Sequence, residues 1–229
     1  MTRFVWLNGS VVNESEARIS PFDHGLMVGD GVFETCKVID GTAFGLRRHL
    51  ERLARSAKGL GLPLPPAAEL RDAVEATIAA NGADVVGRVR ITVTGGPGPP
   101  GSGRGDDGPT ILVVATETPP WPETTPVVTV PWPRNERGPI AGLKTISYAE
   151  NVVALAYAND RGAGEAILPN LAGNVCEGTG TNVFVGVDLQ LLKGLVDDAE
   201  WASVKAACLE VFEGRAKHGW PPDVAIYGS

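Results

Sequence analysis

Short runs of β-branched and aromatic residues, separated by turn-forming pairs, open the chain. Two of these pairs, Asn8-Gly9 and Asp40-Gly41, accept the positive φ angles that a two-residue hairpin turn requires. The runs that flank them are residues 4–8, 11–12, 32–39 and 42–46. The pattern therefore predicts two β-hairpins near the start of the chain.

Helical spacing replaces this pattern from Leu46 onward. Apolar residues at positions 46, 50, 53, 57 and 60 follow one helix face and predict a helix over residues 46–60. A second helix is predicted over residues 67–81, because Gly82 suits a helix C-terminus. Residues 88–94 and 110–115 are rich in β-branched side chains and predict strands, while the glycines and prolines between them predict a loop over residues 95–109.

A proline-rich stretch at residues 118–126 indicates a boundary between two domains. We expect a small α/β domain over residues 1–120 and a larger domain over residues 121–229. The pattern of the second domain predicts a strand at 127–130, a helix at about 148–161, strands at 165–168 and 182–187, and an amphipathic helix at 199–214. The predicted fold class is α/β or α+β.

Composition narrows the classes of protein that fit this organisation. A chain of 229 residues with 43% hydrophobic content can bury a substantial core. The net charge of −7 argues against nucleic acid or an anionic membrane as a partner, because both repel an acidic surface. The chain contains no long apolar run and no secretory signal pattern, which predicts a cytoplasmic protein. Its three cysteines and three histidines are scattered, which indicates neither a disulfide framework nor a metal centre.

A lysine and a glutamate stand out as candidate chemical groups in the second half of the chain. Lys144 lies in the segment Ala-Gly-Leu-Lys-Thr-Ile-Ser-Tyr148, and Glu177 lies in Asn174-Val-Cys-Glu-Gly-Thr-Gly-Thr-Asn182. We expect the two side chains to face one ligand from neighbouring elements. An amine and a carboxylate so placed suit pyridoxal 5'-phosphate, with a Schiff base on the lysine and the carboxylate holding the ring nitrogen protonated.

These motifs, together with Asn8-Gly9, the segment 23–35 and His49-Leu-Glu-Arg52-Leu, resemble the class IV, fold type IV pyridoxal-phosphate enzymes. That family includes branched-chain aminotransferases, D-amino-acid aminotransferases and 4-amino-4-deoxychorismate lyases. The resemblance runs from about Val5 to about Val187. It implies a two-domain fold like that of D-amino-acid aminotransferase, an active site between the domains, a small amino substrate and a homodimer.

The resemblance also implies roles for individual residues. Lys144 would be the catalytic lysine and general base, and Tyr148 would bind the phenolic oxygen of the cofactor. The cofactor phosphate would be bound by Arg52, whose guanidinium suits a dianion. The remaining residues that the resemblance implies are Glu177 on the pyridine nitrogen, Thr181 and Asn182 as further cofactor contacts, and Phe33 and Arg90 on the substrate side.

Several of these residues have a simpler reading beside the functional one. Thr181 and Asn182 could only cap their turn, Phe33 could only pack in the core, and Arg90 could lie on an exposed strand face. Asp23, His24 and Asp30 are expected to fix a turn rather than to perform chemistry. Arg104 in the 95–109 loop is a further carboxylate-binding candidate, although solvent exposure is the favoured interpretation.

The chain departs from the family pattern after Asp188. The family's Thr-Pro turn and Gly-Ile-Thr segment, whose helix N-terminus would bind the phosphate, are not recognisable there, so the second domain is expected to be incomplete after residue 188. This departure predicts weaker cofactor retention. The residues around Lys144 and Glu177 look nearest to the lyase-like members; the alternatives are a branched-chain or D-amino-acid aminotransferase and a non-catalytic remnant.

Overall fold

The computed structural model describes residues 3–119, 122 and 124–181, which form two compact units. The first unit contains residues 3–119 and Glu136–Ala149, and the second contains the described residues of Trp121–Asn135 together with residues 150–181. The strand predicted at 182–187, the helix predicted at 199–214 and the candidate residue Asn182 lie outside the described residues. Within the described residues, no helix has the length and apolar character needed to cross a membrane.

The first unit is built on a six-stranded sheet with the strand order β2-β1-β6-β5-β3-β4. Every neighbouring pair in this sheet is antiparallel. The strands are β1 (Phe4–Leu7), β2 (Ser10–Asn13), β3 (Gly31–Ile39), β4 (Thr42–Ala43), β5 (Arg88–Thr94) and β6 (Ile111–Thr116). The helices are α1 (His24–Val28), α2 (Leu46–Leu60) and α3 (Ala67–Asn81).

Both predicted hairpins are confirmed, although the strand predicted at residues 42–46 ends at Ala43. Asn8 and Gly9 have φ angles of 45° and 102°, and Asp40 and Gly41 have φ angles of 48° and 73°. Each pair thus occupies the left-handed region that a two-residue turn needs, and the strands on either side pair directly.

The helices predicted at 46–60 and 67–81 are confirmed with the same bounds. They pack against the sheet through a core that includes Leu53, Val74, Val89 and Val113, each of which is fully buried. Cys36 belongs to the same core, and burial raises the pKa of its thiol to about 12. Strands β5 and β6 alternate between buried and half-exposed residues, as expected for strands with one face on a core.

The glycine- and proline-rich loop is fixed to the rest of the first unit by Arg104. Its guanidinium donates to both carboxylate oxygens of Asp30, at 2.6 and 2.7 Å, and to the carbonyl oxygens of Leu60 and Gly61 at 2.8 Å. The hydrogen bond with Asp30 raises the pKa of Arg104. These contacts use most of the donors of Arg104 to anchor the loop to Asp30, Leu60 and Gly61, which disfavours a role for Arg104 in binding a substrate carboxylate.

The second unit contains a three-stranded sheet with the order β7-β8-β9. Its elements are β7 (Val127–Thr129), α4 (Ala149–Asn159), β8 (Glu165–Pro169) and β9 (Val175–Gly178). Strand β7 pairs in parallel with β8, and α4 lies between them in sequence. Its core is formed by Val130, Ala154, Ala158, Ala166 and Leu168 with Ala163.

Strand β9 was not predicted from the sequence, which placed Glu177 in a glycine-rich turn. The structure instead pairs Glu177 with Leu168 of β8, and the turn follows at residues 179–181. The first three residues of β9 are exposed and show no apolar alternation, so the strand depends on pairing with β8 rather than on local sequence.

Candidate active site

Backbone hydrogen bonds to two elements hold the segment that carries Lys144. The Lys144 carbonyl accepts from Phe33 N at 3.1 Å, and Ile146 N donates to the Gly31 carbonyl at 3.0 Å, so the segment lies beside the start of β3. On its other side, Lys144 N donates to the hydroxyl of Ser56, a buried residue of α2, at 3.0 Å. The backbone of Lys144 is therefore fixed by both β3 and α2.

Two glycines allow this segment to approach so closely. A Cβ on Gly31 would lie 2.7 Å from the Val93 carbonyl oxygen and 2.8 Å from Cδ1 of Ile146. A Cβ on Gly59 would lie 2.6 Å from a methyl carbon of Leu143. Side chains at these positions would displace the residues on either side of Lys144.

Four predicted site residues meet around one aromatic ring, which we call the Phe33 cluster: Phe33, Arg90, Lys144 and Tyr148. Nζ of Lys144 lies 4.6 Å from the centroid of the Phe33 ring, and Cζ of Arg90 lies 3.7 Å from it. The Tyr148 ring meets Phe33 edge-on, with centroids 5.1 Å apart and planes at 80°. The convergence of Phe33 and Arg90, which the sequence supported only through a family resemblance, is thus a feature of the structure.

The Phe33 cluster places positive charge in a partly buried setting. Phe33 is 3% exposed, and the Arg90 guanidinium is half-buried above its ring, where a cation is attracted by the π-electrons. Burial lowers the pKa of Arg90, and Arg88 lowers it further while Tyr148 opposes the shift. Arginine nevertheless stays charged at neutral pH. A cation with this environment suits an anionic group such as a substrate carboxylate.

Arg52 is held by a buried carboxylate that the sequence did not single out. Its Nε and Nη2 donate to the two oxygens of Glu34 at 2.6 and 2.7 Å, and Nδ1 of His49 lies 2.7 Å from the same carboxylate. Although burial alone would raise the pKa of Glu34, the hydrogen bonds from Arg52 and His49 bring it below its ordinary value. Successive strand residues face opposite sides, so Glu34 faces α2 while Phe33 faces away from it. The alternation at Phe33-Glu34, read with the His49 and Arg52 spacing on α2, could have revealed this contact.

In the second unit, Arg134 holds Glu177. Nε of Arg134 donates to Oε1 of Glu177, Nη1 donates to Glu150 at 2.9 Å, and Nη2 donates to Oδ1 of Asn151 at 2.8 Å. Desolvation would lower the pKa of Arg134, but the two carboxylates raise it overall. Glu177 is 47% exposed, and none of the residues in the described ranges donates to its second oxygen, Oε2.

A second buried carboxylate, Glu165 of β8, holds the turn that follows β9. Its oxygens accept from Thr179 N at 3.0 Å, from Gly180 N at 3.4 Å, and from the hydroxyls of Thr179 and Thr181, the latter at 2.8 Å. Burial alone would raise the pKa of Glu165, but these hydrogen bonds lower it. The Thr181 hydroxyl therefore makes the turn-fixing contact that the sequence allowed. A contact of Thr181 with the cofactor stays a prediction, as does that of Asn182.

Glu165→Gln is expected to lower the free energy of unfolding at neutral pH by about 1–3 kcal/mol, because the new amide group would face donors and leave them unsatisfied. The lowered pKa of Glu165 means that its contribution is present above about pH 4.5 and is lost as the pH falls through the folded value. Urea unfolding should therefore show a difference in the free energy of unfolding between wild type and Glu165→Gln that is smaller at acidic than at neutral pH. Asp160→Asn, at an exposed position of the same unit, is the matched control. A difference that stayed constant with pH would contradict the assignment.

The residues present fit different parts of pyridoxal phosphate. The amine of Lys144 can bond to an aldehyde carbon, and the Tyr148 hydroxyl can meet a phenolic oxygen. Oε2 of Glu177 can accept a hydrogen bond from a protonated ring nitrogen, and the Arg52 guanidinium can donate hydrogen bonds to a phosphate. Lys144, Tyr148 and Arg52 belong to the first unit, and Glu177 belongs to the second.

Comparison with known proteins identifies the family to which this chain belongs. The family model for amino-transferase class IV matches residues 31–192. A "Putative branched-chain-amino-acid aminotransferase" of Methanocaldococcus jannaschii is 35% identical over 91% of this chain and 77% of its own length. The "Bifunctional aminodeoxychorismate lyase / D-amino acid transaminase" of Mycobacterium tuberculosis is 31% identical over 80% of this chain and 66% of its own length.

A solved structure supports the same grouping. A hypothetical aminotransferase from Mycobacterium tuberculosis, in its PLP-bound form, has a TM-score of 0.67 and 31% identity, with 81% of this chain and 68% of that chain covered. This chain therefore spans about two thirds of that neighbour and of the bifunctional relative. The chain belongs to the class IV aminotransferase family, an enzyme family with the fold type IV architecture that its motifs resembled.

Proposed function

We propose that this chain is a pyridoxal-phosphate-dependent aminotransferase that acts on a small amino acid. The observation that carries the proposal is the Phe33 cluster, in which a lysine amine and a desolvated guanidinium share one aromatic ring. The higher identity and coverage of the relative named as a branched-chain aminotransferase favour transamination over elimination. The bifunctional relative supports the lyase activity that the sequence motifs favoured, which is the second candidate.

Pyridoxal phosphate, when bound, would supply an electron sink for the charge left on the substrate's α-carbon. Lys144 would hold the cofactor aldehyde through Nζ, and once the amino group of the substrate had taken its place, the freed amine above Phe33 could remove the α-proton and return it. Glu177 would keep a proton on the pyridine nitrogen through Oε2. Arg52 would bind the phosphate while Glu34 fixes its guanidinium from behind.

Arg90 would select the substrate. Its guanidinium is partly withdrawn from water and held by Phe33 and by a 3.2 Å hydrogen bond from Nε to the Thr92 hydroxyl. A substrate carboxylate would exchange its water for a charge-assisted hydrogen bond to a group already fixed in position. That contact would orient the Cα–H bond of the substrate toward the amine of Lys144. Arg90 would thus contribute to catalysis by positioning the substrate.

Two parallel incubations test the proposal against its alternative. Leucine with 2-oxoglutarate should give glutamate, whereas 4-amino-4-deoxychorismate would give pyruvate and 4-aminobenzoate if the lyase activity is the true one. D-Alanine in place of leucine tests the opposite stereochemistry, and Lys144→Ala protein is the negative control. Pyruvate and 4-aminobenzoate without any transamination product would replace the proposal with the lyase. No product in any incubation, from protein loaded with cofactor, would favour a non-catalytic remnant.

A further inference from the structure

We propose that Arg134 is a positioning residue that holds Glu177 by one carboxylate oxygen and leaves the other for the pyridine nitrogen of the cofactor. The inference rests on the proposed function, since it assigns Glu177 to that nitrogen. It concerns residues of the second unit only, and Arg134 does not itself contact the reacting atoms.

The guanidinium of Arg134 is fixed by all three of its nitrogens. Nε bonds Glu177 of β9, while Nη1 and Nη2 bond Glu150 and Asn151 in the first turn of α4. The backbone N of Arg134 also donates to the Pro169 carbonyl of β8, at 2.7 Å. One residue thus joins β9 to α4 and to the end of β8.

Asn151 extends this arrangement to the turn beyond Glu177. It is 5% exposed, accepts from Arg134 and donates from Nδ2 to the Thr179 carbonyl at 2.6 Å. Hydrogen bonds therefore fix both Arg134, which contacts Glu177, and Thr179, which follows Glu177 in the turn. Glu177 itself is half-exposed, and without Arg134 its side chain would sample several rotamers, at an entropic cost to any contact that it makes.

The net charge around Arg134 leaves Glu177 able to attract a further cation. Arg134 contributes one positive charge and contacts two carboxylates, those of Glu177 and Glu150, so the three groups together carry one net negative charge. A planar guanidinium can hold both carboxylates and the Asn151 amide at fixed angles, which a lysine ammonium cannot reproduce. Arg134 thereby directs Glu177 without cancelling its attraction for a protonated ring nitrogen.

The holoprotein experiment uses Arg134→Met, with Arg134→Lys as the conservative variant and Arg161→Met as the control. Arg161 lies in the same unit and stacks on Tyr157, 3.5 Å from its ring centroid. With ¹⁵N-labelled pyridoxal phosphate, the ring-nitrogen resonance of Arg134→Met should move toward the deprotonated form, with partial recovery in Arg134→Lys. Affinity for the cofactor should fall by about tenfold, equivalent to ~1.4 kcal/mol. Affinity for the 1-deaza analogue, which has no ring nitrogen, should stay unchanged.

Equal losses of affinity for the cofactor and its deaza analogue, or an unmoved nitrogen resonance, would overturn the proposal. A second measurement needs no cofactor: a double-mutant cycle of Arg134→Met and Glu177→Ala in the apoprotein. The unfolding equilibrium constants should depart from additivity by about two- to fivefold, and additivity would show that Arg134 does not hold Glu177. If wild type and Arg161→Met both fail to bind the cofactor, the proposed function fails, and the cycle still decides the Arg134 contact.

Discussion

Glu177→Gln is expected to slow turnover by on the order of 10²–10⁴-fold while leaving the covalent attachment of the cofactor to Lys144 intact. A neutral amide cannot hold the pyridine nitrogen protonated, so the charge that develops during α-proton removal loses its stabilisation. Glutamine keeps the size of the side chain and an oxygen that can accept from Arg134, so the local structure should persist. The loss should appear in kcat more than in KM, because the interaction strengthens in the transition state.

Single-turnover kinetics on cofactor-loaded protein would measure this effect apart from product release. Asp160→Asn removes one negative charge from an exposed position of the same unit and should behave like wild type. Unchanged turnover in Glu177→Gln would remove the residue from the pyridine-nitrogen role and would withdraw the basis of the inference about Arg134.

Lys144→Ala is expected to abolish the covalent bond to the cofactor and to reduce turnover by on the order of 10⁴-fold or more, since one amine supplies both the bond and the general base. The fold should tolerate the change, because the contacts that fix the segment run through the backbone of Lys144 rather than its side chain. A small primary amine added to the solution should restore part of the rate.

Lys58→Ala is the matched control, because Lys58 is exposed in the last turn of α2. Absorbance of the bound cofactor and initial rates should be recorded for both variants at the same protein concentration. Turnover in Lys144→Ala comparable to that of Lys58→Ala would show that another group performs the chemistry.

Much of the first unit could be predicted because local rules decide its elements. Hairpins at Asn8-Gly9 and Asp40-Gly41 follow from backbone preference, and α2 and α3 follow from apolar spacing that ends at a glycine. The five-residue helix α1 was missed, since it is stabilised by the Asp23 cap and by tertiary contacts rather than by a periodic pattern. Strand β9 was missed for a related reason, because its pairing with β8 is not encoded locally.

The residues of the candidate site likewise fall into those that the sequence could predict and those that it could not. Lys144 and Tyr148 share one short segment and could be found from the sequence. Phe33 and Arg90 meet because β3 and β5 pair in a register that sets Thr35 opposite Arg90 and Phe33 opposite Thr92. The buried carboxylates Glu34 and Glu165 and the cation Arg134 escaped the sequence analysis, since each acquires its role from partners far along the chain. The contact of Glu34 with Arg52 could have been inferred from strand alternation and from the spacing on α2, whereas the roles of Glu165 and Arg134 required side-chain contacts that no spacing rule supplies.

Borohydride reduction of the protein with pyridoxal phosphate, followed by peptide mass mapping, tests the central claim most directly. The reduced cofactor should appear on the peptide that contains Lys144, and its amount should match the loss of visible absorbance. Lys144→Ala protein, treated in parallel, should carry no specific label. Labelling confined to Lys37, Lys58 or another lysine, or no labelling after full reconstitution, would contradict the assignment of Lys144 as the cofactor-binding lysine.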